Sequence, residues 1–297
     1  MASSAERLTL GARTPKLVDM AAEYSTSVLA VRGCQIRLMR GGTGSPLVVL
    51  HGASGASWLP FMQKLADRFD VIAPEHPGFG ESDTPGWLDT VEDLAYFHLD
   101  LLEQLNLSGV HLVGLSLGGW VAAELAVRST QRLASLTLAG AAGLSVPGVD
   151  QIDPFLLSEE QRLRDFFHDQ NKAQEIIARA LRPEMEDVAL KNRTTVARLT
   201  WQPRSHNPHL RKWLHRIDVP TLLIWGDHDR MFPKEHALAY QELIPGAQVV
   251  IVPKCGHVPQ IEQPDAFASA VESFVGMPPT SPPSTRAAGR AGARKSA

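Results

Sequence analysis

Ser116 stands in Gly114-Leu115-Ser116-Leu117-Gly118-Gly119, directly after the apolar run Val110 to Leu115 and directly before the helix-forming Trp120-Val121-Ala122-Ala123-Glu124. A chain that passes from buried strand to helix this abruptly must turn sharply, and it presents the residue at the apex of the turn. The positions two residues to either side then tolerate almost no side chain, a need that Gly114 and Gly118 meet. The following helix aims its free N–H groups and positive dipole end at the serine, where a negatively charged oxygen would form. A serine hydroxyl is a weak nucleophile near neutral pH, so it needs a base to take its proton and an acid to orient that base. Two later segments offer such groups. Asp227-His228-Asp229 follows the apolar run Thr221 to Trp225, and His257 follows Gln248 to Val252, so both lie just past predicted strands. Spacing alone leaves Asp227 and Asp229 both open as the acid.

The elements that must carry these residues are legible as a rhythm. Ser27 to Arg32 and Gln35 to Arg40 alternate around Gly33 as an antiparallel hairpin would. Leu47 to Leu50, Val71 to Ala73, Val110 to Leu115 and Leu133 to Leu138 are apolar runs, each followed by a helical pattern, which implies a parallel sheet. Between the second and third of these, Val91, Leu94, Ala95, Leu101, Leu102 and Leu105 share one helix face behind a capping box of Thr90 and Asp93. After Gly140 the rhythm breaks, and residues 144–216 read as a helical insert, or cap. It resumes with a helix over Pro233 to Leu243, the strand Gln248 to Val252 and a last helix begun by Pro264. The expected organisation is an N-terminal extension 1–26, a core of 27–143 and 217–275 split by the insert 144–216, and a disordered basic tail 276–297. That tail holds Arg286, Arg290, Arg294 and Lys295 without an acid, and its removal after Val275 should leave turnover unchanged.

The chain has 297 residues, 44% of them hydrophobic and 21% charged, enough apolar mass for a sizeable core. A net charge of −3 provides no overall positive field for nucleic acid or an anionic membrane, so a small-molecule partner is expected. Met1 to Gly11 lacks the apolar stretch of a secretory signal, and no apolar run is long enough to span a membrane, which reads as a cytoplasmic protein. Cys34 and Cys255 are too few for a disulfide framework. Gly41-Gly42-Thr43-Gly44 lacks the following Lys-Ser/Thr of a phosphate loop and reads as a turn. His206, His209 and His215 cluster in the insert, but no motif makes them metal ligands, and neither a metal nor a cofactor is expected. His51 reads as a brace for its loop. Cys255 reads as a small buried residue. Phe155, Phe166, Phe167, Trp201 and Trp213 read as insert packing, with one or two of them lining a pocket.

Over residues of about 27 to 275 the chain resembles the α/β-hydrolase superfamily, in particular its large cap-bearing branch. The resemblance rests on His51-Gly52, Pro77-Gly78-Phe79-Gly80-Glu81-Ser82, the turn at Ser116, Gly226 to Asp229, and Gly256-His257 followed by Glu262 and Pro264, all in that family's order. It implies an α/β fold with a mostly parallel sheet of about eight strands, flanked by helices and carrying an inserted helical cap. It implies that Ser116, Asp229 and His257 are the catalytic triad, Asp229 being chosen over Asp227 by its place three residues after Gly226. It further implies an oxyanion hole made by the backbone N–H groups of Ala53 and Leu117. Glu75 stands where the family usually has aspartate, at a position outside its chemistry. Serine in place of an aspartate nucleophile argues against epoxide opening and dehalogenation.

The expected activity is hydrolysis of a carboxylic ester of small to medium, fairly apolar character through an acyl-enzyme. Cleavage of a carbon–carbon bond in a meta-cleavage ring-fission product ranks second, because Leu115 and Val258 replace the asparagine and tryptophan usual beside the serine and histidine there. Lactone, thioester, amide and peracid chemistry use the same machinery. A ligand-binding protein without turnover ranks third, since all three candidate catalytic residues are present.

Overall fold

The computed structural model describes residues 24–276. The expectations for 1–23 and 277–297 lie outside the described residues. Strand β1 (Tyr24–Val31) turns back into β2 (Cys34–Gly41), and β3 (Ser45–Leu50), α1 (Pro60–Leu65) and β4 (Phe69–Pro74) follow. Next come α2 (Val91–Gln104), β5 (Val110–Leu115), α3 (Leu117–Arg128) and β6 (Leu133–Ala139). Helices α4 (Glu159–Asp165), α5 (Gln170–Ala180) and α6 (Glu186–Thr200) occupy the interval before β7 (Thr221–Gly226). The chain then runs through α7 (Glu235–Leu243), β8 (Gln248–Val252), α8 (Pro259–Glu262) and α9 (Pro264–Val275). The hairpin thus begins at Tyr24, three residues before the alternation becomes readable, because Tyr24 to Ser27 lie on an exposed edge where no buried face imposes a pattern.

The eight strands form one sheet in the order β1-β2-β4-β3-β5-β6-β7-β8. β2 runs antiparallel to both neighbours, and every pairing from β4 to β8 is parallel. Alternate side chains of a strand face opposite layers, and β5 shows it. Val110 and Leu112 pack with Leu94, Leu102, Val121 and Leu125 of α2 and α3. Val113 and Leu115 pack with Phe61, Leu65, Phe267 and Val271 of α1 and α9. Phe61 and Phe267 meet edge to face at 5.0 Å, and truncating either to alanine would remove about 3–5 kcal/mol.

Capping fixes where α2 starts. The Thr90 hydroxyl accepts the Asp93 N–H at 3.2 Å while the Asp93 carboxylate accepts the Thr90 N–H at 2.8 Å. No helix among the described residues is long and apolar enough to cross a membrane.

Candidate active site

Ser116 follows β5 and caps α3 with φ 53° and ψ −112°, a conformation a non-glycine residue holds only when its surroundings over-determine it. Those surroundings are backbone: the Ser116 N–H donates to Ala139 O at 2.8 Å, and Ser116 O accepts from Gly119, Trp120 and Ala142 N–H. The flanking glycines answer to crowding. A Cβ on Gly118 would stand 2.2 Å from Leu50 O, and one on Gly114 would stand 2.5 Å from Gly118 O. Strand β3 can therefore deliver the His51-Gly52-Ala53 loop against the serine only because residue 118 has no side chain.

The other two residues arrive from the C-terminal ends of β7 and β8. Their loops touch at Gly226, where a Cβ would meet Gly256 O at 2.0 Å. His257 Nε2 lies 2.9 Å from Ser116 Oγ, and His257 Nδ1 lies 2.9 Å from Asp229 Oδ2. The other Asp229 oxygen accepts the N–H groups of Met231 and Phe232, both at 2.9 Å. A carboxylate beside Nδ1 makes that nitrogen the donor, which leaves Nε2 bare and facing the serine hydroxyl. The His257 and Asp229 side chains are 2% and 0% exposed, so bulk water does not compete for either contact. Asp227 sits apart from this chain. It binds His228 Nδ1 at 2.6 Å and the Cys255 N–H at 3.1 Å. Partial burial works to raise its pKa, but the hydrogen bonds from His228 and from the Cys255 and Lys254 backbone outweigh that and bring it down to about 2.

Ala53 and Leu117 line the same cavity as Ser116, and among the described residues neither backbone N–H has a protein acceptor. The cavity encloses about 340 Å³. Its walls are largely apolar, with Trp120, Phe155, Phe166, Met231 and Phe232 from both the core and the 144–216 segment. A second cavity of about 260 Å³ extends past Gly52, Met62, Phe167, Ile176 and Val258. Ala53, Ser116, Arg162, Phe166, Arg193 and His257 line both, so the serine stands at the waist between two chambers. Arg162 forms an ion pair with Glu159, and Arg193 lies 3.9 Å from the same carboxylate. Two cations and one anion thus face the waist.

The sequence anticipated that one or two of its five insert aromatics line a pocket without saying which; three do, Phe155, Phe166 and Phe167. Of its other two aromatics, Trp201 packs edge-on to Phe155 at 5.2 Å and Trp213 is half exposed. Burial and the adjoining Glu262 carboxylate push the Cys255 thiol far up, which makes it inert beside His257. His206 and His209 bind Arg204 O and Lys212 Nζ, and among the described residues no group of three or more His, Cys, Asp or Glu side chains is placed to hold a metal ion.

Glu262 does more than the sequence suggested. One of its oxygens accepts the Gly256 N–H at 2.6 Å, and the other accepts the His168 and Asp169 N–H groups at 2.9 and 2.8 Å. The His257 N–H itself donates to Phe166 O at 2.7 Å. The loop that carries His257 is thereby joined to the segment between α4 and α5. Helix α6 is held in turn by Lys191, Asn192 and Thr195, which bond to Gly80 O, Ser54 O and Gly78 O. The buried Glu75 shapes the Pro77–Ser82 turn that receives them, accepting the Glu81 and Ser82 N–H groups and pairing with Arg37 at 2.6 Å.

Comparison with known proteins agrees with this fold. The model of the alpha/beta hydrolase family matches residues 47–270. The 2-hydroxymuconate semialdehyde hydrolase of Pseudomonas sp. (strain CF600) is 31% identical over 272 residues, 85% of this chain and 94% of that protein. The 2-hydroxy-6-oxo-6-(2'-aminophenyl)hexa-2,4-dienoic acid hydrolase of Metapseudomonas resinovorans is 28% identical, over 82% of this chain and 88% of its own. Among solved structures, a membrane phospholipase A described as a bacterial virulence factor superposes with a TM-score of 0.72 at 26% identity, covering 85% of this chain and 86% of that one.

Proposed function

This chain belongs to the alpha/beta hydrolase family, and we propose that it hydrolyses carboxylic esters of small to medium, apolar character through an acyl-enzyme on Ser116. The observation that carries this reading is the continuous hydrogen-bonded line from Ser116 Oγ through His257 to Asp229. Ser116 Oγ attacks the ester carbonyl as His257 Nε2 takes its proton. Asp229 holds the Nδ1–H tautomer and stabilises the imidazolium that results. The Ala53 and Leu117 N–H groups receive the oxyanion, each contributing about 3–4 kcal/mol to the transition state. His257 returns the proton to the leaving alcohol, then activates water to release the acid. The two-chambered cavity suits a substrate that bends at its carbonyl, with one part on each side of the serine. Residues 144–216 serve as the cap that closes over it. No step calls on a cofactor or metal.

The test is hydrolysis of p-nitrophenyl esters from acetate to palmitate by the wild type and by Ser116→Ala. Turnover by the wild type alone, with an optimum at short or medium chain length, supports the reading; turnover that survives in the variant sinks it.

A second reading is hydrolytic carbon–carbon cleavage of a dienoic ring-fission acid, the activity carried in the names of the two relatives above. It is favoured by the excess cation that Arg162 and Arg193 leave beside Glu159 at the waist, where a substrate carboxylate would be balanced. Leu115 and Val258 weigh against it. Loss of the absorbance of 2-hydroxymuconate semialdehyde, with no turnover of any ester, would place this reading first.

A further inference from the structure

Three histidines that the mechanism does not use form a buried chain behind the oxyanion loop. His51 follows β3, His76 follows β4, and His98 lies on α2; all are at most 4% exposed. Their tautomers follow from their partners. His51 Nδ1 lies 2.7 Å from Gly52 O, and a carbonyl only accepts, so Nδ1 carries the hydrogen. His51 Nε2 is then bare, and it accepts the His76 backbone N–H at 2.9 Å. His76 Nε2 donates to His51 O at 3.0 Å, which leaves His76 Nδ1 to accept from His98 Nε2–H at 2.7 Å. The chain ends at His98 Nδ1, a buried lone pair with no partner among the described residues. Each imidazole is neutral: burial pushes His51 down to about 3 and the other two well below their ordinary value.

The other end of this chain falls on the peptide that matters. The Gly52 carbonyl and the Ala53 N–H belong to one planar peptide and point in opposite directions. Gly52 O is gripped by His51 Nδ1–H and, at 3.2 Å, by the Gly55 N–H. Holding that oxygen aims the Ala53 N–H at the serine, and a donor to the oxygen also polarises the N–H. His51 can grip it only in the Nδ1–H tautomer, which the His76 backbone N–H selects by occupying Nε2. The His76 side chain holds the preceding carbonyl, His51 O, through Nε2–H, and His98 fixes that tautomer by donating to His76 Nδ1.

We propose that His76 and His98 are positioning residues for the Ala53 oxyanion donor, acting through the hold of His76 Nε2–H on the His51 carbonyl. The proposal rests on the reading of Ser116 as nucleophile. Neither residue touches substrate, so the effect falls on the transition state more than on binding.

The test joins spectroscopy to kinetics. Long-range 1H–15N correlation of the imidazoles is expected to report Nδ1–H for His51 and Nε2–H for His76 and His98. His98→Gln, which presents an amide N–H where Nε2–H stood, is expected to keep kcat within about twofold of wild type. His98→Leu is expected to lower kcat about tenfold at nearly constant KM, a misaimed donor costing less than the roughly hundredfold of a deleted one. Should the leucine variant fail to fold, His98→Asn, too short to reach His76, takes its place. An Nε2–H tautomer at His51, or equal kcat in the glutamine variant and the variant lacking the donor, overturns the proposal. If the wild type hydrolyses no ester, the ester reading falls, and the tautomer pattern still decides whether the chain exists.

Discussion

Lowering the pH from 7.5 to 5.5 is expected to cost the fold about 4 kcal/mol, because three imidazoles in its interior have no room for a second proton. His51, His76 and His98 are held neutral by burial, with His51 lowered to about 3 and the others well below the ordinary 6.5. In the unfolded chain each takes up a proton as the pH falls through 6.5. The unfolded state therefore binds more protons than the fold across this interval, and stability falls with falling pH. Between one unit above and one unit below 6.5, the loss is about 1.4 kcal/mol for each imidazole that stays neutral in the fold. The three sum to about 4 kcal/mol, and His111 and His236, also lowered by burial, act in the same direction. Asp227 does not interfere. Its stabilisation is complete above the ordinary carboxylate value and is lost only as the pH falls toward about 2. Urea titration followed by tryptophan fluorescence at the two pH values measures the effect, expected as a midpoint shift of about 1 M or more. His98→Gln removes one of the three groups and should reduce the pH dependence by about 1.4 kcal/mol. A wild-type difference below about 1.4 kcal/mol would mean that the fold accommodates the protons, and the neutral chain drawn above would be wrong.

Asp229→Asn is expected to lower kcat by about 10⁴-fold with the fold intact, since an amide no longer enforces the Nδ1–H tautomer, whereas Asp227→Asn retains most of the activity; steady-state rates on the best ester separate the two. Gly118→Ala drives a methyl group into Leu50 O and should cost more than about 4 kcal/mol, read as loss of soluble protein or a collapsed melting temperature. Glu262→Ala leaves the Gly256, His168 and Asp169 N–H groups without their acceptor. It is expected to cost about 3 kcal/mol or more and about 10 °C in Tm, with kcat falling as the His257 loop loosens; calorimetry and rates together check this.

Much of this was legible in the residues because the strongest signals are local. The glycines around Ser116 announce a crowded turn whether or not the neighbours are known, and in the structure those neighbours are Leu50 O and Gly118 O. The buried parallel strands are mostly apolar, broken only by residues such as Asp70, His111, Ser135 and Thr137, so β3 to β7 could be read within a few residues. The acid could not be read from spacing. Asp227 and Asp229 both follow β7, and only the turn after Gly226 decides that one faces His257 and the other His228. The histidine chain left half a signal: His98 sits on the apolar stripe of α2 among Leu94, Leu101 and Leu102, where a polar residue needs a buried partner. That partner, His76, lies 22 residues earlier on another element, and no periodicity connects them. The chamber walls were the least legible, since α4 to α6 bring Arg162, Phe166 and Arg193 to the serine through packing that leaves no mark on the local pattern.

The hydrogen bond from His257 N–H to Phe166 uses a carbonyl oxygen, which every amino acid supplies, while the Phe166 side chain faces both chambers. The same residue therefore has two separable duties, one indifferent to its identity and one wholly dependent on it. Exchange of that ring is expected to alter what the cavity admits while leaving the anchorage of His257 in place. The shape of the cavity can thus change at this position without disturbing the line from Ser116 through His257 to Asp229.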